Sequence, residues 1–276
     1  HRDLHLSLRR QRQMCIRDSY KDTAVTERFI RSLENLDTCN AVDLVIVDSE
    51  STVQTKEQLE LLAKNTPFKT QLIFSDRNTY YWGGAALALQ TLLLDYNGPP
   101  QWIIVCNNDI IFPQIDFIKK LSALDPDKYH VIGPTIYSSV TGKNLNPYMD
   151  QPIRRLEKIY LSLFYINYVS ARIMQIALKW LKKSAAIFKR PVASKIKKIY
   201  APHGSFVIFS NQYFKRGGWI DSNYEMYGEE VTTAEIAKKN KIPIFFVPEL
   251  EVTHVCLLYT SPSPRDLSTS RMPSSA

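Results

Sequence analysis

Short apolar runs alternating with helical stretches between Ser19 and His254 predict an α/β domain on a mostly parallel sheet. Three acids, Asp48, Asp76 and Asp109, fall at the ends of successive apolar runs, where parallel sheets place their ligands. With 276 residues, 45% of them hydrophobic and only 9 Gly and 15 Pro, the chain can bury a sizeable core. That composition excludes a wholly disordered or fibrous protein.

The elements follow in order. Residues 23–37 carry Val25, Phe29, Ile30, Leu33 and Leu36 on one helical face, and Val42 to Val47 reads as a buried strand ending at Asp48. Leu59, Leu61 and Leu62 belong to a second helix, and Gln71 to Phe74 to the next strand. The stretch 83–95 is a strong helix, stopped by Asn97-Gly98-Pro99-Pro100. Trp102 to Cys106 is a third buried strand, running into Asn107-Asn108-Asp109. A helix near 114–124 and a strand at 130–133 come next. The helix at 23–37 ought to follow a strand, yet upstream lie only residues 1–18, which show no clear period. The expectation is that a first strand is lost, or weakly imitated by residues 4–18.

Both ends read as foreign to the rest. Residues 1–18 and the Ser/Pro-rich 256–276 resemble translated sequencing-adapter read-through and are set apart as non-native tails, leaving one domain over 19–255. Cys15, Cys39, Cys106 and Cys256 have no CxxC spacing, so neither a disulfide framework nor a zinc knuckle is expected. No apolar leader is seen, and the longest uncharged apolar run, 159–171, is too short for a span of roughly 18–20 residues.

The net charge of +8 is unevenly spread. Residues 154–198 hold 12 Lys/Arg against the single acid Glu157, whereas the body outside this segment and the two tails is acidic. Ile159, Leu163, Ile166, Ile173, Ala177 and Trp180 repeat at three- and four-residue spacing, which predicts a basic amphipathic helical insertion. Such an element suits an anionic membrane surface, or equally packs on its own domain with a solvated basic face. No nucleic-acid motif accompanies the charge, so nucleic acid is not an expected partner.

Five motifs carry a resemblance. They are VIVDSES (45–51), NTYYWGGA (78–85), CNND (106–109), GGWIDSNYEMYGEE (217–230) and the late His254. In order and spacing they resemble a family 2 glycosyltransferase of the GT-A, Rossmann-like nucleotide-diphospho-sugar type. The likeness is greatest to bacterial rhamnosyltransferase-like enzymes of surface polysaccharide assembly in the cell envelope. The resemblance implies that Asp48, Ser49, Ser51, Asn78, Gly83, Gly84, Asn107, Asn108 and Asp109 line a donor site. It also implies that Asp109 and His254 hold a divalent metal, Mg²⁺ or Mn²⁺. Glu230, with Glu229 beside it, takes the base position, and His203, Gly204 and Trp219 the acceptor side. Tyr224 and Tyr227 are further candidates to stack on sugar rings.

The chemistry accounts for these residue types. A nucleoside diphosphate leaving group gathers charge as the glycosidic bond breaks, and a divalent cation stabilises it. Hard oxygen ligands suit Mg²⁺ or Mn²⁺, which keep bound waters and so need few protein ligands. Inversion needs a carboxylate that deprotonates the acceptor hydroxyl from the opposite face. Each feature also has a plainer explanation: strand-end acids cap helices, a late histidine can be structural, and acids at a helix start favour its dipole. The family's second Asp and its Arg after the acidic pair are replaced here by EEVTTAEIAKK.

The expected function is an inverting, metal-dependent sugar transfer to a saccharide or lipid-linked saccharide acceptor, in the cytoplasm and peripheral to the inner membrane face. The alternatives are a membrane-surface interaction protein with a degenerate transferase domain, and a sugar-nucleotidyltransferase. The latter would want a Gly-rich phosphate loop after the first strand, and none is visible.

Overall fold

The computed structural model describes residues 13–19, 23–95, 100–153, 162–164, 166, 172, 195–223 and 228–255. Strands β1 (Gln13–Ser19), β2 (Val42–Ser49), β3 (Thr70–Ser75) and β4 (Trp102–Cys106) are linked by α1 (Thr23–Glu34), α2 (Val53–Lys64) and α3 (Tyr80–Asp95). These four strands are mutually parallel in the order β3-β2-β1-β4. The chain winds outward from β1 to β3 and then returns to place β4 on the other side of β1. Right-handed crossovers therefore put α1 and α2 on one face and α3 on the other. The reversal creates a crevice beyond the carboxyl ends of β1 and β4.

The remaining strands are β5 (Ile110–Ile111), β6 (Val131–Ser138), β7 (Lys197–Ile199), β8 (Phe206–Ser210) and β9 (Ile244–His254). They extend the sheet as β4-β8-β6-β9-β5, with β7 pairing β9. Here β8 runs antiparallel to both neighbours, β6 and β9 are parallel, and β5 and β7 are antiparallel to β9. A 3-10 turn at Cys39–Ala41, the short helices α4 (Phe117–Ser122) and α5 (Asn211–Lys215) and the longer α6 (Glu229–Lys239) complete the named elements. The fold class stands as expected, but the sheet is mixed: beyond β4, the strands no longer follow one another through helical crossovers.

Period-two alternation assigns the two faces. Val45, Val47, Ile103, Val105, Val207 and Phe209 pack with Trp82, Ala85, Ala86 and Leu89 of α3 and Ala234 and Ala237 of α6. Leu44, Ile46, Trp102, Ile104, Phe206 and Ile208 face the other way, against Phe29, Ile30 and Leu33 of α1 and Phe117 and Leu121 of α4. Phe29, Trp102 and Phe117 are fully buried. Each such side chain stabilises the fold by roughly 1.5–3 kcal/mol relative to exposure.

Element boundaries differ in places from the sequence pattern. Of the two expectations for the first strand, the structure has the one within residues 4–18: Gln13–Ser19 is β1, hydrogen-bonded to β2 and β4 at the centre of the parallel half. The strand at 130–133 runs on to Ser138, because β9 supplies a partner along its whole length. Past Pro191, where the amphipathic pattern ends, the basic segment closes as β7, whose Lys197 and Lys198 pair with Phe246 and Phe245. Most of 154–194, and with it the bulk of the expected amphipathic helix, lies outside the described residues, as do Tyr224 and Tyr227.

Candidate active site

The site is built around the turn His203-Gly204-Ser205, which enters β8. Asn107, one residue past β4, donates its backbone N–H to Ser205 O at 2.9 Å. This follows from the β4–β8 ladder, which pairs Cys106 with Phe206. Asp109 then leads directly into β5, whose Ile110 pairs with His254 at the end of β9. Backbone bonds hold both sides of that histidine: Val255 N donates to Asp109 O at 2.8 Å, and Ser139 N donates to His254 O at 2.9 Å. The two side chains meet, with His254 Nε2 3.0 Å from Asp109 Oδ1. Asp109 is buried, and apart from this contact its Oδ1 has no hydrogen-bond partner among the described residues.

His203 stands on the other side of this pair, its ring 6.3 Å from that of His254. Its Nδ1 is 2.9 Å from Ser205 Oγ, and its N–H donates to Asn146 Oδ1 at 2.7 Å. Burial, with a smaller contribution from His254, pulls its pKa down to about 4, so the imidazole is neutral near pH 7.

The acidic pair opens α6. Gly228, at φ 109°, turns the chain into the helix, a left-handed conformation that glycine adopts without strain. Glu230 Oε1 accepts the Gly204 N–H at 3.2 Å. Glu229 packs against the same residue so closely that a Cβ on Gly204 would lie 2.5 Å from its Cγ. Burial first, and then the charge of Glu230, raise the pKa of the Glu229 carboxyl. One short turn thus joins Asp109, His254, His203, Glu229 and Glu230.

The second group lies at the ends of β2 and β3. Asp48 is fully buried. Its Oδ1 accepts from Ser51 Oγ at 2.6 Å, while Oδ2 has no partner among the described residues. Burial raises its pKa, against the opposing hydrogen bond from Ser51. Ser49 Oγ is 2.7 Å from Thr79 Oγ1, which ties β2 to the start of α3. The register pairs Arg17 with both Ile46 and Cys106, so Asp48 and Asn108 each lie two residues past a pair of level strand positions, with β1 between them. Asn108 and Asp109 also line a shallow, open depression with Val25, Arg28 and Phe29 of α1.

Other expected residues sit differently. Asn78 Oδ1 accepts the Tyr80 N–H at 2.9 Å, so that oxygen serves the start of α3. Gly83 and Gly84 lie inside α3, with Gly84 buried. Trp219 is 36% exposed, and its described bond is a backbone one, accepting from Tyr213 Oη at 2.9 Å. Sequence reasoning missed Asn146 and Tyr81. Tyr81 lies inside a motif already singled out, but Asn146 carried no comparable signal.

Solved structures share this fold. Mannosyltransferase PcManGT from Pyrobaculum calidifontis, in complex with GDP-Man and Mn²⁺, aligns with TM-score 0.52 and 16% identity over 88% of this chain and 56% of its own. GalNAc-T7, with UDP, GalNAc and Mn²⁺, aligns with TM-score 0.59 and 13% identity over 95% of this chain and 46% of its own. S. aureus TarS gives TM-score 0.56 and 13% identity over 89% of this chain and 37% of its own. The chain therefore spans about half the length of these proteins or less. No curated protein matches it. The sequence matches the family described as "Glycosyl transferase family 2" over residues 18–217, from the end of β1 past α5, and the chain belongs to that family.

Proposed function

We propose that the chain is an inverting glycosyltransferase that moves a sugar from a nucleoside diphosphate donor to a saccharide or lipid-linked saccharide acceptor. The observation that carries this reading is the gathering of a buried carboxylate–imidazole pair and a second carboxylate pair around the turn 203–205. Rhamnose is the donor sugar that the motif resemblance favours.

The residues fit a divalent cation. Two adjacent ligands on an octahedral Mg²⁺ or Mn²⁺, each at about 2.1 Å, stand about 3 Å apart. That is the Asp109–His254 separation, and Asp109 Oδ1 otherwise has no hydrogen-bond partner among the described residues. No group of three or more His, Cys, Asp or Glu suited to a metal occurs among the described residues, so the remaining ligands would be water and diphosphate oxygens. A bound cation would supply Lewis-acid stabilisation of the leaving diphosphate.

The protein's own residues do the rest. Asp48 offers its unpartnered buried oxygen to an N–H or O–H of the nucleoside. Glu230, oriented by the Gly204 N–H, takes the proton of the acceptor hydroxyl as that oxygen attacks the anomeric carbon and the bond to the diphosphate breaks. Neutral His203 walls the acceptor side without placing a further cation beside His254.

The basic segment 154–198 would hold the enzyme peripherally against an anionic membrane face. Two apolar members of its predicted stripe, Leu163 and Ile166, are 47% and 64% exposed, as suits a face that meets lipid. Among the described residues no helix is long and apolar enough to cross a membrane.

The test is release of nucleoside diphosphate from a panel of UDP-, GDP- and dTDP-sugars with Mn²⁺. Wild-type turnover should exceed that of Asp109→Ala by about 100-fold or more. Equal rates for the two proteins across every donor that reacts would contradict the reading.

A further inference from the structure

Gly204 lies between the acidic pair and the donor-side helix. Its lack of a side chain is forced, since a Cβ would lie 2.5 Å from Glu229 Cγ and 2.6 Å from Glu229 Oε1. The same lack leaves its backbone with more conformations than any other residue would have, so its orientation must be fixed from outside. The flanks of the turn are pinned by Asn146 Oδ1 on His203 N–H at 2.7 Å and by Asn107 N–H on Ser205 O at 2.9 Å. Both backbone groups of Gly204 itself are also engaged. Its N–H donates to Glu230 Oε1, and its carbonyl accepts from Tyr81 Oη at 2.8 Å. Tyr81 belongs to the first turn of α3, and its ring is held against Trp82 at 5.4 Å between centroids. Its hydroxyl therefore comes from a side chain that is already fixed.

We propose that Tyr81 is a positioning residue: by holding the Gly204 carbonyl, it aims the Gly204 N–H at Glu230 and so orients the base. This rests on the assignment of Glu230 as base. It also makes the helix that follows the donor-side strands a support for the acceptor-side turn. No bond is made or broken at Tyr81. The effect is on how often the carboxylate occupies its productive orientation, where small displacements change rates strongly.

A double-mutant cycle tests it, with Tyr81→Phe, Glu230→Asp and the pair compared in turnover of whichever UDP-, GDP- or dTDP-sugar the wild type hydrolyses with Mn²⁺. Tyr81→Phe keeps the ring and removes one hydrogen bond. Its kcat should fall about tenfold with donor KM within twofold of wild type. Glu230→Asp shortens the arm that reaches Gly204, so adding Tyr81→Phe to it should cost less than twofold more. Full additivity, an unchanged kcat in Tyr81→Phe, or a fall in kcat with a matching rise in KM would each overturn the positioning role. Wild-type kcat in Glu230→Asp and Glu230→Gln together would instead remove Glu230 as base, and the proposal with it.

Discussion

The parallel half of the sheet, β3-β2-β1-β4, and the mixed half beyond it are built in different ways, and the candidate site divides along the same line. In the parallel half, β1, β2 and β3 are each followed by a helix, and the polar residues at the rim come from within about 30 residues of one another. Asp48 meets Ser51, and Ser49 meets Thr79. In the mixed half, several key contacts join parts of the chain about a hundred residues or more apart. Ile110 pairs with His254, Asn107 meets Ser205, and Gly204 meets Tyr81. The first arrangement suits a rim that grips the donor. The second brings groups from four parts of the chain to the turn 203–205, as the proposed metal and base roles would need.

Gly204→Ala should disturb the mixed half most. The added methyl meets the half-buried Glu229 side chain and forces it or the turn aside. Destabilisation of about 1–3 kcal/mol should appear in urea unfolding, together with a fall in kcat of tenfold or more. A variant of unchanged stability and rate would show that the turn is not packed as described.

Asp48→Asn probes the other half. The amide can still accept from Ser51 but replaces the acceptor Oδ2 with a donor, so donor KM should rise about tenfold with kcat nearly unchanged. The pH response gives a second readout. Because burial raises the Asp48 pKa in the folded state, stability should be highest while the carboxyl is protonated and fall as pH rises through its folded value. Asn has no such dependence, so the variant should melt no lower than wild type at pH 7.

His203 gives the smallest effect, in metal-free protein. Its pKa is pulled from 6.5 to about 4 by burial, so the stability its neutral form allows is fully present above pH 6.5 and lost as pH falls towards 4. The loss is at most about 3 kcal/mol. His203→Gln should flatten that acid limb of the melting curve, and an unaltered limb would assign it to other groups.

The same division explains what the sequence revealed. Val42–Ser49 reads VDLVIVDS and is buried throughout, so both the strand and its terminal Asp48 stand out. Trp102–Cys106 was legible to the residue for the same reason. The central strand Gln13–Ser19, QMCIRDS, was hidden because Gln, Arg, Asp and Ser interrupt its apolar run. Motif resemblance singles out Asp109, His254 and Glu230 as candidates. Their convergence was not legible, because it depends on β5, a two-residue strand that no periodicity can reveal, and on the long pairing of β9. Tyr81 was passed over because its role is a hydrogen bond to a backbone carbonyl 123 residues away.

The most direct measurement is a donor titration of wild type, Asp48→Asn and Glu230→Gln side by side, with Mn²⁺ saturating and nucleoside diphosphate release as the signal. The account predicts opposite signatures. Glu230→Gln should lose about 100-fold or more in kcat with donor KM within threefold of wild type, while Asp48→Asn shows the raised KM and near-normal kcat. The same pattern in both variants, or a Glu230→Gln enzyme with wild-type kcat, would contradict the division between a gripping half and a reacting half.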